Sequence, residues 1–207
     1  MTKPGLLTRV LMAAVLAAGL SGCFAVVVGG AAVGAFAATD RRTLGAQTED
    51  KEIVANANAK LSSVIGDAGH VDVTSYNRKV LLTGEVRDEQ MKQQAEQEVR
   101  QVRGVENVMN ELEATFNSSL SSRSNDAYIT TKVRAALVGE RSLNSNAIEI
   151  NTERGTVYLL GIVTQNEGQI AAERTANVGG VQRVVKMFEY ISDDQLKQLN
   201  ALQGQRN

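Results

Sequence analysis

The chain contains a segment that occurs twice, and this duplication restricts its fold more than any other feature. Asp50-Lys51-Glu52-Ile53 is matched by Asp126-Ala127-Tyr128-Ile129, and Val71-Asp72-Val73 by Ile148-Glu149-Ile150. Val80 to Val86 then matches Val157 to Val163, and Gly104-Val105 matches Gly180-Val181. The offset is 76, rises to 77 after one inserted loop residue, and returns to 76, which predicts a one-residue deletion in the second helix of the later copy. Two similar units follow, each near the lower size limit for folding alone, so packing of one on the other is expected.

Hydrophobic period gives the same order in both copies: helix, two strands, helix, strand. Ile53, Ala57, Leu61 and Ile65 recur at helical spacing; Val71 to Val73 and Val80 to Val86 alternate as strands around the turn Tyr76-Asn77-Arg78-Lys79. Asp88 caps a helix through Ala95, Val99 and Val102, and Gly104 stops it. Val105, Val108 and Leu112 fall in the closing strand, where Val108 breaks the alternation and predicts a bulge. Copy two repeats this with Ile129, Val133 and Leu137, strands at Ile148 to Asn151 and Val157 to Val163, a helix through Ala172 and Ala176, and a last strand within Val181 to Ile191. The expected fold is α+β, two tandem αββαβ units, each a three-stranded mixed sheet on two helices. Units at 49–115 and 125–191 are joined by a polar linker at 116–124, and a polar tail occupies 192–207. Leu196, Leu199 and Leu202 suit either a short amphipathic helix or a disordered end.

Ahead of the duplication, residues 1–22 have the layout of a secretory signal: Lys3 and Arg9, then the apolar run Val10 to Leu20, too short to span a bilayer comfortably. Leu20-Ser21-Gly22-Cys23 follows and resembles the lipobox of bacterial lipoproteins, whose cysteine receives a diacylglyceryl group and becomes the mature N-terminus. The alternative is an uncleaved membrane helix, which the glycines and serine disfavour. Phe24 rather than an aspartate follows Cys23, which under the lipoprotein sorting pattern implies the outer membrane. Residues 23–48 are expected to form an acylated, apolar, Gly-rich tether, with a root-mean-square reach of about 30 Å as a coil.

Loss of the signal removes Lys3 and Arg9 and takes the formal charge from −1 to −3, which excludes a general nucleic-acid binder. Cys23 is the only cysteine and His70 the only histidine. With Cys23 acylated, neither thiol redox chemistry nor a His/Cys metal centre can be assembled, and the sole His70, in a Gly-His-Val segment entering a strand, does not supply a Ser/His/Asp set; no enzyme activity and no cofactor are expected.

The Val-rich second strand ending in Leu82-Thr83-Gly84-Glu85-Val86 or Leu159-Leu160-Gly161-Ile162-Val163, with the helix closed by Gly104-Val105 or Gly180-Val181, resembles the BON domain. Two copies behind a lipobox resemble the dual-BON-domain outer-membrane lipoproteins. That resemblance implies binding of anionic phospholipids, such as phosphatidylglycerol and cardiolipin, through the second domain, in support of envelope integrity. It places Tyr128 where relatives carry tryptophan.

The copies control for each other. From 49 to 113 there are eight basic and thirteen acidic residues, whereas from 123 to 189 there are eight and seven, so an anionic surface repels the first copy and tolerates the second. On the leading helix of copy two, Ile129, Val133, Ala136 and Leu137 form the core stripe. Tyr128, Thr131, Lys132, Ala135 and Val138 lie opposite, with Arg134 at the edge. Copy one has Glu52, Asn56, Asn58 and Ser62 where copy two has Tyr128, Lys132, Arg134 and Val138. An acidic, polar face has become aromatic, apolar and basic, the composition of an interfacial helix. Lys132, Arg134 and Arg141 together contribute about 3 kcal/mol on an anionic surface. That is weak alone but useful to a protein already tethered, whose second contact is intramolecular. One alternative is that Tyr128 packs against the other unit and the cations merely solubilise the helix; another is a non-enzymatic scaffold that contacts the outer-membrane assembly machinery or peptidoglycan-linked proteins, with acylation serving only for location.

Overall fold

The computed structural model describes residues 40–204; Cys23 and most of the expected tether lie outside them. Helix α1 (Leu44–Ile65) is started by Thr43, whose hydroxyl accepts from the Ala46 N–H, and buries Ile53, Ala57, Leu61 and Ile65 along one side. Strands β1 (Gly69–Tyr76) and β2 (Lys79–Val86) form an antiparallel hairpin, helix α2 (Glu89–Arg100) follows from its cap Asp88, and β3 (Asn107–Asn110) and β4 (Glu113–Ala114) return parallel to β2. The second copy comprises α3 (Leu120–Val138), β5 (Ile148–Glu153), β6 (Thr156–Val163), α4 (Gln165–Ala176) and β7 (Arg183–Tyr190), with β6 central, antiparallel to β5 and parallel to β7. The fold is the expected α+β duplication. The tail is helical, as α5 (Asp193–Gly204).

Three local expectations are corrected. Polar segment 116–124 is a linker only as far as Ser119, which caps α3 and accepts from the Ser122 N–H; the helix itself starts at Leu120. The deletion falls not within a helix but in the preceding turn, where Arg87-Asp88 is replaced by the single residue Thr164. The core side of α4 is therefore Gly168, Ala171 and Thr175 rather than Ala172 and Ala176. Around Val108 there is a break without an extra residue, because β3 and β4 pair with β2 at the same offset. Asn110 fills the gap: its side chain donates to the Lys92 carbonyl and accepts from the Leu112 N–H.

A shared aspartate explains the Asp50/Asp126 match. Both hairpins turn through two residues of positive φ, Asn77-Arg78 and Arg154-Gly155, a conformation costly for side chains other than glycine. Asp50 accepts the backbone N–H groups of Asn77 and Arg78 at 2.8 and 2.9 Å, and Asp126 those of Arg154 and Gly155 at 3.0 and 2.9 Å. Each leading helix thus holds the hairpin that packs on it. Gly84 and Gly161 mark close backbone approach: a Cβ there would stand 2.1 Å from the His70 carbonyl oxygen or 2.5 Å from that of Ala147. His70 belongs to β1, where it pairs with Glu85.

Both central strands are covered on two sides, which is why they read as nearly unbroken apolar runs. Val80, Leu82 and Val86 face α1 and α2, and Val157, Leu159 and Val163 face α3 and α4. The alternate residues Leu81, Tyr158, Leu160 and Ile162 meet in a third core with Tyr76 of β1, backed by Val185, Met187 and Ile191. The two sheets therefore pack face to face with the helices outside. Polar bonds ring this core: the Tyr76 hydroxyl donates to the Ala147 carbonyl at 3.2 Å, and Asn151 donates to Asp72 at 2.7 Å.

A strap ahead of α1 closes the junction. Arg41, expected in the tether, is buried and makes a bidentate pair with Glu167 at 2.6 and 2.8 Å, adding a bond to the Ile162 carbonyl at 2.7 Å. Its neighbour Arg42 turns to the first copy, bonding Asp50 at 2.9 Å and lying 4.0 Å over the Tyr76 ring. Residues 40–48 are thus part of the folded body.

Candidate functional site

Helix α3 carries the residues that the sequence singled out, and its amphipathic pattern places them. Asp126, Ile129, Val133 and Leu137 are buried against the second sheet. On the other side Tyr128 is 62 % and Val138 64 % exposed, and Thr131, Arg134 and Ala135 are exposed with them. Thr131 satisfies its hydroxyl on the Ala127 carbonyl at 3.0 Å and so presents its methyl group outward at little polar cost. No other element of the described chain seals this face, so the junction-packed alternative for Tyr128 does not hold: the junction is made by the sheets.

Lys132 is placed less freely than the pattern suggests. It is half-buried; its ammonium lies 4.6 Å over the Tyr128 ring and donates to the Gly179 carbonyl. Cation and ring are therefore presented as one unit, with further donors on the ammonium still available. Arg134 and Arg141 are exposed nearby in sequence. In the first copy, α1 exposes Glu52, Asn56, Asn58 and Ser62 at the matching positions. The contrast in charge and polarity read from sequence is thus a contrast between two solvent-facing helices.

Two features escaped the sequence reading. Leu120, placed in the linker, is 81 % exposed on the first turn of α3, and Phe116 just before it is 93 % exposed. A Ser cap ahead of an apolar residue was the available signal, hidden by the surrounding serines. The second is a charged seam between the copies. Glu85 is fully buried and one of its carboxylate oxygens has no partner; the other lies 3.5 Å from Arg154, which also reaches Glu113 at 3.2 Å. Glu153 has a buried oxygen without a partner, and burial first, then Glu85, Asp126 and Asp72, pushes its carboxyl up to about 7, against the pull of Arg123. Among the described residues no group of histidine, cysteine or acidic side chains has the geometry to hold a metal ion.

The chain matches the BON domain family over residues 49–115 and 125–192, the two structural copies. It is 37 % identical over 175 residues, 83 % of this chain and 90 % of the relative, to "Outer membrane lipoprotein DolP" of Haemophilus influenzae. It is 27 % identical over 154 residues, covering 73 % of this chain and 79 % of the relative, to a "21 kDa hemolysin" of Actinobacillus pleuropneumoniae. With both copies matched by one family and a relative aligned across most of its length, this chain belongs to the BON-domain family and carries the domain twice.

Proposed function

We propose that the protein is a non-enzymatic outer-membrane lipoprotein, anchored through Cys23, that binds anionic phospholipids with the outer face of α3 and so supports envelope integrity. The observation that carries this reading is the contrast between the leading helices. At matching solvent-facing positions α1 offers Glu52, Asn56, Asn58 and Ser62, and α3 offers Tyr128, Lys132, Arg134 and Val138. Thr131 and Ala135 complete a surface that is flat between its larger side chains. Tyrosine partitions to headgroup depth, and the flanking cations meet phosphate. Phosphatidylglycerol and cardiolipin have the required negative charge. Similarity to an outer membrane lipoprotein supports the location.

Flotation of residues 36–207 with vesicles tests the proposal. Binding to phosphatidylglycerol vesicles is expected to exceed binding to phosphatidylcholine vesicles, to fall as salt rises, and to weaken about five- to tenfold with Arg134→Glu or Tyr128→Ala. Equal binding to both vesicle types, indifferent to these substitutions, would move the assignment to a protein scaffold at the assembly machinery.

A further inference from the structure

The first copy keeps an edge strand beside an open groove at a place where the second copy is tied shut. β1 pairs only with β2 and so borders its sheet, running unbroken from Gly69 to Tyr76. The opposite border of the same sheet is blunted by the break between β3 and β4. The two-residue turn closes on the bonded pair Tyr76 and Lys79. Alternation from there turns the N–H and C=O groups of Thr74 and Asp72 toward β2, and those of Val73 and Ser75 outward. Among the described residues these outward groups meet no other backbone.

Val73 and Ser75 line a groove of about 440 Å³ between the strand and α1. Val54 and Ala55 give its helix wall an apolar surface, and Lys51 of α1 and Glu149 of β5 bring opposite charges to it, neither of them in an ion pair. The repeat shows what closure requires. Thr130 takes the place of Val54 and Thr152 that of Ser75, and their hydroxyls bond at 2.7 Å, tying α3 to the edge strand β5. Val54 has no hydroxyl to offer, and Ser75 donates instead to Asp50, one turn earlier on α1, at 2.7 Å. The place of the hydroxyl bond is therefore open in the first copy.

Outward backbone groups beside an apolar helix wall are the arrangement that takes up an extended peptide as an added strand: main-chain bonds hold it, and alternate side chains enter the groove. We propose that β1 and α1 form a docking groove for an extended segment of a partner protein, which adds a strand to the first sheet, turns β-branched side chains toward Val54 and Val73, and sets an acidic side chain against Lys51. Charge complementarity chooses this occupant, because Lys51 is an exposed cation with no acid of its own. The groove belongs to the first copy, so it neither needs nor replaces the lipid reading of α3.

Panning a phage library of random peptides against the full acylated protein in detergent micelles, with empty micelles as control, tests the groove. Enriched sequences are expected to alternate β-branched and polar residues around one acidic position. A synthetic peptide of the leading sequence should slow amide exchange at Val73 and Ser75. It should bind about tenfold more weakly to Lys51→Glu, and to Val54→Thr, which rebuilds the Thr130 arrangement. Ala127→Glu, at the exposed position that matches Lys51 in the second copy, should leave its affinity unaltered. Enrichment no greater than on empty micelles, or a peptide that binds both first-copy variants as it binds wild type, would overturn the inference. Binding that those variants weaken while exchange at 73 and 75 stays unchanged would refute the added strand. Slow exchange at both residues before any peptide is added would also overturn it, and would assign the edge to a second copy if it grew with protein concentration.

Discussion

Removing the Arg41 guanidinium should cost more than any other single polar change in the junction. The side chains of Arg41 and Glu167 are 3 % and 11 % exposed and meet at 2.6 Å, so solvent screens the pair little. Glu167 is also the reciprocal cap of α4, accepting from the Thr164 N–H at 2.8 Å. Burial alone would raise its carboxyl, but Arg41 and Thr164 outweigh that and hold it below the usual carboxylate range. Arg41→Met leaves this carboxylate enclosed with its cap bond alone, a loss of about 3–5 kcal/mol. For a body of this size that is about 6–20 °C in melting temperature. Replacing both partners, as Arg41→Met with Glu167→Gln, should recover part of the loss, because no buried charge remains and the new amide carbonyl can still accept the cap bond. Recovery is favoured by the Arg41 Nε, which has no partner in the native protein. Urea denaturation of wild type, both single variants and the double variant closes the cycle. A loss below about 1 kcal/mol for Arg41→Met, or strictly additive losses, would refute the view that this pair locks the two domains.

The other expectations concern the seam and the sheets. Glu153 holds its proton more tightly folded than unfolded, so its effect is absent below the ordinary carboxylate range and stability falls as pH rises toward about 7. After discounting for its partial exposure this is about 1–2 kcal/mol, and Glu153→Gln should flatten that limb of a stability profile measured from about pH 5 to pH 8. Below that window the lowered carboxyls, Glu167 and Glu96 among them, act with the opposite sign and are lost on acidification. Gly84→Ala drives a Cβ against the His70 carbonyl at a φ of +112°, and should prevent accumulation of folded protein, read by soluble yield and circular dichroism.

Duplication, strand alternation and the outward side of α3 were legible because each depends on local period, which burial enforces. What was hidden depends on partners far apart in the chain. Arg41 lies 126 positions from Glu167, and nothing near Asp40-Arg41-Arg42 distinguishes a buried strap from a charged end to a tether. The deleted residue was misplaced because sequence alignment alone cannot tell a shortened turn from a shortened helix, whereas the matched caps Asp88 and Thr164 can. Leu120 was missed for a related reason: serines favour both loops and helix starts, and only the Ser119 bond to the Ser122 N–H decides between them.

The strap also determines how the body bears mechanical load. A pull applied at Asp40 reaches the guanidinium of Arg41, seated in the second domain, before it reaches the first turn of α1. Arg42, on the next residue, passes the same tension to Asp50 and the Tyr76 ring in the first domain. Such a load is therefore shared by two domains, in shear across side chains, instead of peeling one helix from its end.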